Sequence, residues 1–163
     1  MRRFIYRHQP APAVRMVALA GLGTFMAVIL LGALTTYGTL PLLIAPLGAS
    51  CALLFAAPAS PLSQPANVIG GHVVSAISGV LCAMIMPASF VVAAIAVATS
   101  LMAMMVLRLM HPPAGATALI GYASAAGLMF VIFPVLAGSV VLVGLAYFYH
   151  ALTKTQFPLH PPK

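Results

Sequence analysis

The 163-residue chain contains no aspartate and no glutamate. Without a carboxylate side chain it cannot build the acid pair of a glycoside hydrolase, a Ser-His-Asp triad or a Glu-assisted metal hydrolase. A hard-cation cage for Mg²⁺ or Ca²⁺ and an Asp- or Glu-based proton relay are excluded for the same reason. No enzyme residue set survives, so an enzyme is not expected. Tryptophan is absent too, which leaves Tyr37, Tyr122, Tyr147 and Tyr149 to form any aromatic belt. The two cysteines, Cys51 and Cys82, both lie in apolar stretches. They read as small buried hydrophobes and not as a disulfide framework. Charged residues make up 4% of the chain, against roughly 25% in soluble domains.

Hydrophobic residues make up 63% of the sequence, and the seven Lys and Arg give a net charge of +7, mostly near the ends. Long apolar stretches with few charges predict an integral membrane protein, and the positive field favours an anion as solute. Residues 1–13 form a basic N-terminus. A full-length span comes directly after it, without a cleavage site at the usual distance. The segment therefore reads as a cytoplasmic anchor and not a removed signal peptide. Arg2, Arg3, Arg7 and Arg15 place the N-terminus in the cytoplasm, and Lys154 and Lys163 place the C-terminus there as well. The expected location is a bacterial inner membrane, with a multi-pass chain.

A single transmembrane domain is read over residues 14–152. Full spans are expected over about 14–34, 67–86, 88–109 and 129–152. Between them lie two shorter apolar runs broken by proline, at 48–56 and from 111 to about 126. The tail, 153–163, is polar and expected to be loose. Shifting the chain by 67 residues sets Pro46-Leu-Gly-Ala-Ser50 on Pro113-Ala-Gly-Ala-Thr117, and Gly71-His-Val-Val74 on Gly138-Ser-Val-Val141. The fold class expected is therefore all-α, with six transmembrane elements in two three-element inverted repeats (14–86 and 88–152). In each repeat one element is a discontinuous half-helix, and the two meet near the midplane. Six crossings put Arg108 on the cytoplasmic side; four, with the short runs re-entrant, would put it outside.

The repeated Pro-x-Gly-Ala-Ser/Thr motif carries the chemistry. Proline favours a helix start, and the Gly and Ala behind it leave the first N–H groups accessible. Those groups and the helix dipole suit an anion. Half-helices starting at Gly48 and Gly115 thus offer the backbone of Gly48, Ala49, Gly115 and Ala116, with hydroxyls from Ser50 and Thr117. Pro46, Pro112 and Pro113 are structural at the half-helix starts. The competing reading is that these small residues only allow close helix packing. His72 and His111 lie beside the two motifs, where an ionisable residue in a membrane element is a functional candidate. Either could instead bond a carbonyl freed by the neighbouring Pro or Gly. His8, His150 and His160 read as interfacial or tail residues. Asn67 is read first as a helix N-cap and second as a contact for the anion. Arg108 is either a snorkelling anchor or an anion-attracting gate residue.

His111-Pro-Pro-Ala-Gly-Ala-Thr117 resembles the signature of the HPP family of membrane proteins. The resemblance extends, in the family's order, to Pro46-Leu-Gly-Ala-Ser50, Pro58-Ala-Ser-Pro61 and Gln64-Pro-Ala-Asn67-Val-Ile-Gly-Gly-His72. Ala66 stands where similar sequences often carry a bulkier residue such as Arg, and Cys51 where they often carry Ala. The resemblance implies nitrite transport, because plant chloroplast and cyanobacterial members are linked to nitrite uptake. The family is usually described with fewer spans than the six read here.

The first expectation is a transporter or channel for a small inorganic anion, nitrite foremost, working in the lipid bilayer without cofactor, metal or nucleic acid. Six short elements make a thin barrier, which favours a homo-oligomer. Two alternatives remain. One is a Cu(I) membrane protein using Met84, Met86, Met102, Met104 and Met105 with His and Cys. The other is a non-transporting subunit that assembles with a partner.

Overall fold

A computed structural model describes residues 2–38, 40–124 and 127–160. Its described residues form helices and loops with no strand. A short turn, α1 (Arg2–Ile5), precedes α2 (Val14–Tyr37), α3 (Ala45–Ala56), α4 (Pro65–Ile85), α5 (Phe90–Val106), α6 (Ala114–Ala123) and α7 (Ala137–Thr153). A π-helical stretch, Val131–Leu136, leads into α7 and is interrupted by non-helical backbone at Phe133, just before Pro134. Three segments are long and apolar enough to cross a membrane: Val14–Tyr37, Pro65–Ile85 and Val131–Thr153. Helices α3, α5 and α6 are apolar but shorter. Leu22, Phe25 and Ile29 of α2 are each more than half exposed. An apolar outer face of this kind suits lipid and not water.

Local chemistry sets the helix ends. Ser89 caps α5, its Oγ accepting from the Val92 N–H at 3.2 Å. Left-handed residues, Arg108 after α5 and Lys154 after α7, turn the chain away. Proline sits in the first turn of α3 and of α4, where its missing N–H costs nothing. Both short helices begin earlier than the expected half-helix starts, α3 because it takes Pro46 into its first turn. Helix α3 begins at Ala45, before Pro46 and not at Gly48, and α6 begins at Ala114, one residue before Gly115.

The short helices are held by close backbone approach. The Leu43 N–H donates to Thr35 Oγ1 at 2.9 Å, so the extended stretch after α2 folds back along it. At the far end of α3, Phe55 fills the space left by Gly23, which makes α3 antiparallel to α2. Helix α4 packs on α6, with Gly79 directly against the Ala118 carbonyl. A Cβ on Gly71 would lie 2.9 Å from the Leu109 carbonyl oxygen, and one on Gly138 would lie 3.3 Å from that of Leu42. The last helix of each half of the chain, α4 or α7, therefore seats the proline-broken approach of the other half.

The main core joins α2, α3 and α7 through Leu31, Leu47, Leu54, Phe55 and Leu142. Phe157 of the tail belongs to this core, and the Leu159 N–H donates to Gln64 Oε1 at 2.8 Å. The described part of the tail is thus docked and not loose. Its aromatic ring has an apolar seat available, against His150 at 5.3 Å between ring centres. Residues 161–163 lie outside the described residues.

Candidate functional site

Four of the polar residues singled out above meet in one place. Helix α3 brings Ser50, α4 brings His72, the loop between α5 and α6 brings His111, and α6 brings Thr117; all four are fully buried. Ser50 Oγ lies 2.8 Å from His72 Nε2 and 2.8 Å from His111 Nε2. His72 Nδ1 lies 2.7 Å from Thr117 Oγ1. His111 Nδ1 lies 2.8 Å from the Leu62 carbonyl oxygen, on the connector between α3 and α4. The two imidazoles meet edge to face, with ring centres 5.0 Å apart. Every nitrogen of both rings has a partner, as buried polar groups require.

The sequence folds this way for local reasons. Gly71 leaves room for the His111 Cβ, and Asn67 Nδ2 donates to the Met110 carbonyl at 3.0 Å, holding the His111 loop onto α4. The connector that supplies Leu62 is itself tied down. Ser63 Oγ donates to Ala57 O at 2.7 Å, and Gln64 Nε2 donates to Ser60 O at 2.8 Å.

The other candidate residues are placed differently. Pro46 is buried, and its carbonyl oxygen lies 3.0 Å from Ser50 Oγ. Gly48 and Gly115 are half-buried, and open space lies where a Cβ would stand on each. Ala49, Ala116 and Pro112 are exposed and Pro113 is half-buried, so the motif's small residues face away from the histidines. The N–H groups read as free are closed within their own turns. That of Gly48 donates to Ile44 O at 3.3 Å, that of Gly115 to Pro112 O at 3.1 Å, and that of Ala116 to Pro113 O at 3.2 Å. Arg108 is exposed and outside the cluster. Asn67 is not an N-cap, because α4 starts two residues earlier, at Pro65.

Three features escape the sequence reading. The Leu62 carbonyl is a backbone group, to which its apolar side chain gives no clue. Ser75 and Ser100 share a 2.6 Å hydrogen bond between α4 and α5, one turn from His72. Their spacing from the histidine motifs was the available signal. His150, expected at an interface, is buried: its Nε2 donates to Leu54 O at 2.8 Å, and its Nδ1 has no partner. Tail docking covers it.

No group of three or more His or Cys that could hold a metal occurs among the described residues. Met104 is buried, with its Sδ 3.7 Å from Ser75 Oγ, whereas Met84, Met102 and Met105 are exposed. The methionines thus do not gather around the histidine pair.

Comparison with known proteins bears on the same region. The family described as HPP, transmembrane region, matches residues 9–158. The chain belongs to the HPP family. That match takes in every helix from α2 to α7 and all four residues of the buried cluster. A transmembrane protein of Dictyostelium discoideum is 32% identical over 94% of this chain, and a second from the same organism is 38% identical over 58% of it. The aligned regions span 59% and 33% of those two relatives. No solved structure matches.

Proposed function

We propose that this HPP-family membrane protein is a transporter or channel for a small inorganic anion, and that the anion is nitrite. The observation that carries the reading is the meeting of Ser50 and Thr117, one from each copy of the repeated motif, through His72 and His111. This junction offers hydroxyl and imidazole N–H donors inside a chain that has no carboxylate to repel an anion. The junction's donors, like the first N–H groups of α3 and α6, are bonded within the protein, so an anion is received by exchange of these side-chain bonds. The dipoles of α3 and α6 add partial positive charge.

Several observations support reading the two halves as an inverted repeat. Each half runs helix, extended approach, short helix, long helix, the first helix being the long α2 in one half and the shorter α5 in the other. Gly71 with Leu109 and Gly138 with Leu42 are the same contact exchanged between halves, related by the 67-residue shift. A site between such halves is where many transporters bind their solute. We place both termini in the cytoplasm of a bacterial inner membrane on the strength of the basic residues at each end. Self-association belongs to this proposal, since α3, α5 and α6 are short for a bilayer.

The experiment is flux into proteoliposomes holding the full chain, with nitrate, formate and chloride as comparison anions. The proposal expects nitrite to enter faster than into protein-free vesicles and faster than the other three. Equal rates with and without protein would defeat it.

A further inference from the structure

We propose that the Ser50–His72–His111–Thr117 junction also binds and relays a proton, with His111 as the acceptor, so that anion movement through it is proton-coupled. The coupling part rests on the anion reading above.

The hydrogen order of the junction follows from one fixed point. A carbonyl oxygen can only accept, so His111 Nδ1, 2.8 Å from Leu62 O, must carry its hydrogen. In neutral His111 the other nitrogen, Nε2, is then an acceptor, and the order that leaves no ring nitrogen unpaired has the Ser50 hydroxyl, at 2.8 Å, donate to it and not to the Pro46 carbonyl at 3.0 Å. Ser50 has a single hydrogen. Its contact with His72 Nε2 must therefore be one in which His72 donates. That leaves His72 Nδ1 as an acceptor, served by the Thr117 hydroxyl at 2.7 Å. All four links point one way, from Thr117 through His72 and Ser50 to His111 and the Leu62 carbonyl. The two imidazoles hold opposite tautomers.

The same atoms accommodate one more proton without leaving a polar atom unpaired. When His111 Nε2 is protonated, it donates to Ser50 Oγ. Ser50 then turns its own hydrogen to the Pro46 carbonyl, 3.0 Å away. Its oxygen accepts from both imidazoles, which fills the hydroxyl's capacity of one donor and two acceptors. His72, with Thr117 beyond it, keeps its neutral order. Leu62 and Pro46 therefore supply the two carbonyls that a charged His111–Ser50 pair needs.

For relay, opening of the junction, which is fully buried at rest, lets water deliver a proton to Thr117 Oγ1. The Thr117 O–H bond breaks as His72 Nδ1–H forms, and His72 Nε2–H breaks as a new Ser50 O–H forms. Ser50 passes its original hydrogen to His111 Nε2, and His111 Nδ1–H is given up to a water or anion that displaces the Leu62 carbonyl from it. Rotation of both hydroxyls and return of both rings to their starting tautomers complete the cycle. One proton enters and one leaves, with no change of oxidation state. Other titratable groups nearby do not compete. The chain has no Asp or Glu, Arg108 is exposed, and Cys51, beside Ser50, directs its Sγ to Leu47 O at 3.4 Å.

The test has two arms on the full chain. Nitrogen-15 spectra of histidine-labelled protein in nanodiscs, assigned with His72→Gln and His111→Gln, read the tautomers. Nδ1–H in His111 and Nε2–H in His72 are expected at neutral pH, and the same tautomer in both rings would overturn the order. In proteoliposomes with an internal pH dye, nitrite entry should acidify the lumen beyond protein-free vesicles, and Ser50→Ala should lose that increment at least tenfold. Nitrite entry without acidification would overturn the relay and leave the anion site standing. Proton movement under a membrane potential, lost in Ser50→Ala but without any anion flux, would support the relay and overturn the anion site. No proton movement in either condition overturns the relay.

Discussion

The Ser50 hydroxyl lies 2.8 Å from His111 Nε2, although 61 residues separate them in the chain. Ser50 belongs to the first copy of the repeated motif, and His111 opens the second. Their contact ties α3 to the loop before α6 at a point sealed from the surface. Ser50 is the hub, since His72 and His111 both reach it through Nε2.

Replacing that hub should be costly. Ser50→Ala leaves His72 Nε2 and His111 Nε2 buried without a partner, at about 1–3 kcal/mol for each unsatisfied group. Denaturant titration in detergent micelles should show a destabilisation of that order, along with loss of nitrite flux. Unchanged stability and unchanged flux in Ser50→Ala would contradict the hub.

Glycine positions make a sharper structural test. Gly79→Ala drives a methyl into the Ala118 carbonyl, a backbone atom that cannot move aside without shifting α6. The expected loss is about 1–3 kcal/mol or more, the usual scale of overpacking. Gly21→Ala and Gly144→Ala meet nothing within 4 Å and should change stability by less than about 1 kcal/mol in either direction. Parallel melting of the three variants by size-exclusion chromatography in detergent distinguishes them.

Gly48 and Gly115 separate fold from function. A Cβ on either finds open space. Gly48→Leu and Gly115→Leu should therefore keep the elution profile and melting temperature of the parent. The double variant should transport nitrite at least tenfold more slowly, because the added bulk fills the open space in front of the first turns of α3 and α6. Full flux in a well-folded double variant would remove these turns from the pathway.

His150 provides a contrast with the other buried histidines. His150→Phe gives up the bond to Leu54 O but also removes an unpaired buried nitrogen. A lost bond and a lost penalty, each of about 1 kcal/mol, nearly cancel. Stability and nitrite flux should both stay close to the parent, whereas His111→Phe should abolish flux. A flux defect in His150→Phe as large as in His111→Phe would show that the site is not confined to the junction.

Much of the site is legible in the sequence because the signals are side-chain types at repeated positions. Ser50, His72, His111 and Thr117 stand out in an apolar chain, and the proline breaks locate the short helices. The hidden features depend on the backbone or on long-range docking. The Leu62 carbonyl that fixes His111 belongs to an apolar residue in a connector. Placing the helix starts at the glycines behind the prolines sets α3 and α6 too late, since α3 takes Pro46 into its first turn and α6 begins directly after Pro113. Asn67 looks like a cap because it precedes an apolar run, but Pro65 has already begun α4 and the Asn67 side chain is left for Met110 O. His150 looks interfacial from its place near a span's end, but Phe55 of α3, the Leu54 carbonyl and the docked Phe157 enclose it.

The most direct test of the central claim is nitrite binding to the purified full chain in detergent, compared with Thr117→Val and His111→Ala. All three proteins must first be shown to melt cooperatively. The account predicts saturable binding by the parent, weakened at least tenfold in each variant, with chloride a poor competitor. Equal nitrite affinity in the parent and in both folded variants would contradict it.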